Sequence, residues 1–162
     1  MKTLRLLLFA ACDRACPGCC NNDWDLKALP VCDSFAGYDE IILTGGEPML
    51  RQDLVYDVAV AAHAENPDAR VYVYTAMPEG LTDAVLSVVD GVTLTLHEQA
   101  DVERFQNMLV DMGSMPDKSL RLNVFAEVDL VDTWLGEWQT KSGIEWIEDC
   151  TLPEHESFMR LS

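Results

Sequence analysis

Glu40-Ile41-Ile42-Leu43-Thr44-Gly45-Gly46-Glu47-Pro48 decides how the rest of the chain is read. The apolar Ile41–Leu43 run lies inside a strand predicted over Tyr38–Thr44, and a double glycine followed by Glu-Pro stops it in a tight turn. Gln52 to Glu65 is then amphipathic, with Leu54, Val58 and Ala61 on one face, and Asn66-Pro67 ends it. The unit is strand, turn, helix, and it recurs downstream. Arg70–Thr75 reads as a strand and Thr82–Val89 as a helix with Leu86 and Val89 inward. Gly91–Leu96 is a strand, Asp101–Met112 a helix and Leu120–Phe125 a strand. Asp132–Thr140 is predicted helical and Ile144–Ile147 a sixth strand, with Trp134, Trp138 and Trp146 packing a core or covering that strand. Upstream, Thr3–Ala11 is nearly continuous in apolar residues apart from Arg5 and makes the first strand; residues 23–30 are a weak helix or loop ending at Pro30.

Alternating strands and helices predict an α/β fold with a parallel sheet, because parallel neighbours need crossover connections that helices supply. No linker or low-complexity segment interrupts the pattern, so residues 1–162 form a single domain. A complete eight-fold barrel takes about 250 residues. About six units in this length imply an open doubly wound sheet or a curved partial (β/α)6 barrel. In either case the functional edge is the carboxyl end of the strands. The formal charge of −17 argues against a duplex nucleic acid or an anionic membrane as a surface partner, because such surfaces are held by Lys and Arg. No stretch is long and apolar enough to span a membrane. Lys2, Arg5 and the run Leu6–Cys12 resemble a short signal ending in small-small-Cys, but the run is at the short limit and its removal would delete the first strand.

The strand ends collect chemistry-bearing residues. After the first strand comes Cys12-Asp13-Arg14-Ala15-Cys16-Pro17-Gly18-Cys19, three thiols at x3 and x2 spacing. Gly45–Pro48 follows the second strand, Thr75 the third and His97-Glu98 the fourth. Glu127 follows the fifth, and Asp149-Cys150 lies beyond the sixth. Thiolates are soft ligands for zinc or iron–sulfur iron. Three of them leave a metal position unclaimed, which suits a reactive centre, whereas Cys20 or Cys32 as a fourth sulfur would make a zinc site. The cysteines alone leave these two readings even. Their crowding favours metal over a disulfide framework and fits a reducing cytoplasm, with Cys20, Cys32 and Cys150 as inert small apolar groups. Asn123, in alternation with Leu122 and Val124, is expected to point into the sheet's interior with its amide partnered. His63 is expected to be a charge partner at a helix end.

Taken together, Cys12-x3-Cys16-x2-Cys19 after the first strand and Gly45-Gly46-Glu47-Pro48 after the second resemble the radical S-adenosylmethionine superfamily. The resemblance implies that Cys12, Cys16 and Cys19 hold a 4Fe-4S cluster whose open iron chelates S-adenosylmethionine. Reductive cleavage of that cofactor to methionine and a deoxyadenosyl radical would follow, fed by an electron donor such as a flavodoxin or ferredoxin. Gly45 and Gly46 would let the backbone approach the methionine amino group, with Glu47 and Pro48 completing the motif. Gly18 stands where the family often has an aromatic. Thr75, His97 and Asn123 fall where such enzymes place cofactor contacts. The Cys16-Pro17-Gly18-Cys19-x-Asn21 stretch is similar to activases of anaerobic ribonucleotide reductase, which act on a glycyl radical enzyme, although those often carry Asp-Pro where this chain has Glu47-Pro48. A core without added domains has an open side that suits such a macromolecular partner. Radical modification of a small molecule or nucleoside is the alternative. Carboxy-deazaguanine synthases share the Thr44–Pro48 pattern, but Leu96-His97-Glu98 lacks their Ser-Pro-Lys turn. A non-catalytic zinc or electron-transfer module is the remaining class.

Overall fold

The computed structural model describes residues 1–131 and 133–162. It is an α/β fold built on a seven-stranded open sheet in the order β6-β5-β4-β3-β2-β1-β7. The strands are β1 (Thr3–Leu7), β2 (Glu40–Thr44), β3 (Arg70–Thr75), β4 (Gly91–Leu96), β5 (Ser119–Phe125), β6 (Gln139–Ile144) and β7 (Glu156–Arg160). Every pairing is parallel. Three helices, α1 (Gln52–Glu65), α2 (Asp83–Val88) and α3 (Ala100–Asp111), make the β2–β3, β3–β4 and β4–β5 crossovers. No helix among the described residues is long and apolar enough to cross a membrane.

All three helices pack on one face of the sheet. Leu4 and Leu6 of β1, Ile41 and Leu43 of β2, Val71 and Val73 of β3, and Leu120, Leu122 and Val124 of β5 share one core with helix residues. Those are Val55, Val58, Ala59 and Ala62 of α1, Leu86 of α2 and Phe105 of α3. The period-two alternation of strand side chains puts the intervening residues on the opposite, helix-free face. There Ile42, Tyr72 and Thr93 are nonetheless 6%, 7% and 6% exposed. In α1 the buried stripe is Val55, Val58, Ala59 and Ala62 rather than Leu54, Val58 and Ala61; Leu54 sits at the margin and Ala61 faces solvent. The i, i+3, i+4, i+7 spacing of that stripe is the one a core-facing helix needs. Asn66 closes α1 by donating its N–H to Ala62 O at 2.8 Å, and its side chain bonds the carbonyls of Phe35 and Tyr38.

The last third of the chain departs from the expected pattern. Asp132 lies outside the described residues; from Thr133 to Trp138 the chain is irregular, with no helix, and β6 begins at Gln139. Gly136 adopts φ +54°, a left-handed conformation that a right-handed helix does not accommodate. The expected sixth strand over Ile144–Ile147 is replaced by β6 at Gln139–Ile144, and β7 is an additional strand beside β1. The count of about six strand–helix units is therefore corrected, among the described residues, to seven strands and three helices. Trp138 is buried edge-on against Phe105, as expected of a core tryptophan, while Trp134 is exposed.

Candidate functional site

The segment leaving β1 runs alongside the one leaving β2. Leu8 N–H donates to Thr44 O at 2.8 Å, Gly46 N–H to Phe9 O at 2.9 Å and Glu47 N–H to Ala11 O at 2.9 Å. A Cβ at Gly46 would stand 2.1 Å from Ala11 O, and one at Gly45 would stand 2.8 Å from Phe9 O. Close approach of this backbone is thus enough to require both glycines. Glu47 is 3% exposed, and its carboxylate accepts from Thr75 Oγ1 at 2.5 Å, Ala76 N–H at 2.9 Å and Met49 N–H at 3.0 Å. Glu47 therefore ties the end of β2 to the end of β3, and Thr75 serves as its partner. The buried Pro48 opens the 3-10 turn that leads into α1.

The thiol loop is pinned on two sides. Asn21 Nδ2 donates to Gly45 O at 2.8 Å, which fastens it to the β2 turn. On the other side Arg14 grips both carboxylate oxygens of Asp101, one Nη at 3.0 Å, and reaches Ala76 O at 3.3 Å. Asp101 is fully buried at the start of α3, where it also accepts the His97 and Glu98 N–H groups and one arm of Arg104. Burial alone would push the Asp101 carboxyl upward, but Arg14 and the two amides outweigh it and hold it below its ordinary value. The sequence marks Arg14 only as a spacer between cysteines and Asp101 only as a helix start; their pairing is a property of the fold.

Cys12, Cys16 and Cys19 are free thiols that line one cavity of about 680 Å³ together with Gly45, Gly46, Glu47, Thr75 and His97. Burial pushes the Cys12 and Cys16 thiols above their ordinary value, so metal binding there would release protons. The three thiols share this cavity without converging: among the described residues no group of three His, Cys, Asp or Glu side chains is arranged to hold a metal ion. Cys12 Sγ accepts the Arg14 N–H at 3.4 Å. As a donor set, three uncommitted thiols on one short loop facing one cavity fit a group held by three thiolates.

Part of the cavity lining is aromatic, supplied by His97 and Trp146. The His97 ring stacks on Trp146 at 5.4 Å and 17°, and packs against Phe125 at 4.8 Å. Its Nδ1 is buried without a partner among the described residues, and burial followed by the Arg14 charge keeps the imidazole below its ordinary pKa. Trp146 also presses on the thiol loop, where a Cβ at Gly18 would stand 2.5 Å from Trp146 Cγ. Trp146 is thus a wall of the cavity rather than a cover for the last strand. Cys20 and Cys150 form a disulfide, and Cys150 N–H donates to Asp23 Oδ2 at 3.1 Å, so the segment after β6 is fastened over the thiol loop. This corrects the expectation that both cysteines are inert. It also removes Cys20 as a fourth sulfur, while Cys32 packs against the main core with its thiol on Ser34 O.

Asn123 lies apart from these residues, in a separate depression on the helix-free face. Glu127 is exposed, and Trp24 packs edge-on against Phe158 of β7. His63, in the last turn of α1, meets Asp90 at 3.5 Å. No protein-family model matches the chain, and no curated protein matches it.

Proposed function

We propose that this chain is a radical S-adenosylmethionine enzyme. One observation carries the reading: three free thiols at x3 and x2 spacing line the same cavity as the Gly45-Gly46-Glu47 turn, to which their loop is hydrogen-bonded. Cys12, Cys16 and Cys19 would hold a 4Fe-4S cluster. With cluster and S-adenosylmethionine bound, such a site supplies reductive cleavage of the cofactor to methionine and a hydrogen-abstracting deoxyadenosyl radical.

The chain's own residues position and enclose that chemistry. Arg14 and Asn21 fix the loop that carries the thiols, and the Gly45–Glu47 turn brings backbone to the cavity wall where a side chain would obstruct it. Trp146 and His97 offer a stacked aromatic surface for the adenine, and Trp146 supplies at Gly18 the ring that this position lacks. Burial of Ile42, Tyr72 and Thr93 on a face that no helix covers supports a sheet that curls on itself, the partial barrel of this superfamily. Cys20 in a disulfide and Cys32 in the core count against a four-sulfur zinc site.

In this reading a flavodoxin or ferredoxin is the electron donor. The Cys16–Asn21 stretch and the open side support a glycyl radical enzyme as the acceptor, while the cavity of about 680 Å³ beside the thiols supports a small molecule. The test is anaerobic reconstitution with iron and sulfide. It should give a brown protein with about four irons per chain that releases deoxyadenosine under a strong reductant. Cys12→Ala, Cys16→Ala and Cys19→Ala should each lose both properties. A colourless protein carrying one zinc overturns the reading.

A further inference from the structure

Two rows of side chains cross the helix-free face below the cavity. The strand register aligns Tyr74 of β3 with Thr93 of β4, Thr93 with Arg121 of β5, and Arg121 with Gln139 of β6. One step nearer the rim it aligns Thr95 with Asn123 and Asn123 with Lys141. Tyr74, Thr93, Arg121, Asn123 and Lys141 line a depression of about 330 Å³, which shares Tyr74 with the cavity above it. No carboxylate lines it.

That absence is notable in a chain with 28 acidic and 11 basic residues. Arg5, Arg14, Arg51 and Arg104 each have a carboxylate partner. Among the described residues Arg121 and Lys141 have none, as is also true of Arg70, Arg160, Lys2, Lys27 and Lys118; what sets these two apart is that they line one depression together. The Arg121 guanidinium lies over the Tyr72 ring, 5.6 Å from its centroid, which steadies it without neutralising it. Two unneutralised cations with hydroxyl and amide donors beside them make a receptor for an oxyanion, with the guanidinium suited to bidentate contact.

We propose that this depression binds the anionic group, a phosphate or a carboxylate, of the molecule on which the site acts. That the bound molecule is a substrate rests on the radical reading above; that the depression binds an anion does not. With about 3.3 Å of rise per residue, Arg121 lies about 13 Å and Lys141 about 7 Å below the His97–Phe125 level of the rim. An anion held between them directs the rest of a small molecule up through Tyr74 and Thr95 toward the thiol loop. Asn123 then serves this ligand rather than the cofactor.

The test is calorimetric titration of the full chain at constant ionic strength, with chloride as background, using inorganic phosphate in one arm and succinate in the other. Saturable binding is expected, and the tighter arm identifies the anion as phosphate or carboxylate. Arg121→Gln and Lys141→Gln should each weaken it about tenfold, and Arg121→Lys should fall between wild type and Arg121→Gln. Lys27→Gln, which removes one exposed charge elsewhere, should leave it unchanged. No saturable binding of either anion, or equal weakening by Lys27→Gln, overturns the proposal. If Arg121→Gln does not fold, Lys141→Gln carries the same test. The titration needs neither cluster nor cofactor, so its failure is distinguishable from that of the radical reading: cofactor cleavage without anion binding removes only the depression, and anion binding without cleavage removes only the radical reading.

Discussion

Replacing Arg14 with Met tests whether the thiol loop is held in place by one buried ion pair. Asp101 is fully buried, and the Arg14 side chain is 16% exposed. Removing one partner of a buried pair costs about 3–5 kcal/mol, because the other charge is left desolvated. Arg104 and the His97 and Glu98 amides remain on Asp101, so the lower end, about 3 kcal/mol, applies. With a urea m-value of about 2 kcal/mol per molar, the unfolding midpoint of the apoprotein should fall by about 1.5 M at pH 7. Arg51→Met breaks a pair whose side chains are 57% and 68% exposed, and should leave the midpoint nearly unchanged. The pH dependence has a definite sign. In the wild type the Asp101 carboxyl is depressed, so its contribution is present above the unfolded value of about 4 and is lost as pH falls through the folded one. Without Arg14 that carboxyl loses its strongest lowering partner, and burial opposes its ionisation more strongly than in the wild type. The deficit of the variant should therefore narrow as pH falls into the range where its Asp101 protonates before that of the wild type. A loss under about 1 kcal/mol, or one that does not vary with pH, would refute the assignment.

Glu47→Gln keeps the shape but puts an amide among three donors; with hydrogen bonds to a charged group worth about 1.5–3 kcal/mol, a loss of about 2–3 kcal/mol in urea unfolding is expected, and a loss below about 1 would mean the carboxylate is not the β2–β3 tie. The Cys20–Cys150 disulfide closes a sequence separation of 130 residues and should stabilise the fold by about 2–4 kcal/mol. Reductant should therefore lower the midpoint of the wild type but not of Cys150→Ser; six alkylatable thiols in air-purified protein would show that the bond does not form.

The middle of the chain is legible because its boundaries are chemical. Gly45-Gly46 and Asn66-Pro67 bracket α1, and β3 and β4 carry apolar alternation strong enough to set their limits at Arg70–Thr75 and Gly91–Leu96. Beyond β5 the cues mislead. Trp134, Leu135 and Trp138 imitate a helical face, yet Trp138 reaches the core from an irregular segment that Gly136 breaks. Gln139–Ile144 has no apolar alternation because both of its faces are exposed, so only its pairing with β5 makes it a strand. The rim was legible as a set of residues but not as contacts. Thr75 reads as a ligand contact; in the fold it lines the cavity and donates to Glu47, while Asn123 lines the neighbouring depression.

Gly18 shows why a local motif is read incompletely. Under the radical reading proposed above it is a loss, a glycine where an aromatic ring would help enclose the adenine. In the fold its missing side chain is the space into which the Trp146 indole fits, from a segment that the Cys20–Cys150 bond and the Asp23 contact hold against the same loop. A larger residue at position 18 would expel the indole and part it from His97, so the two positions are mutually dependent although 128 residues separate them. Such dependence leaves no spacing or periodicity to read. It arises because the segment after β6 reaches the loop after β1, through Trp146 at Gly18 and Cys150 at Cys20.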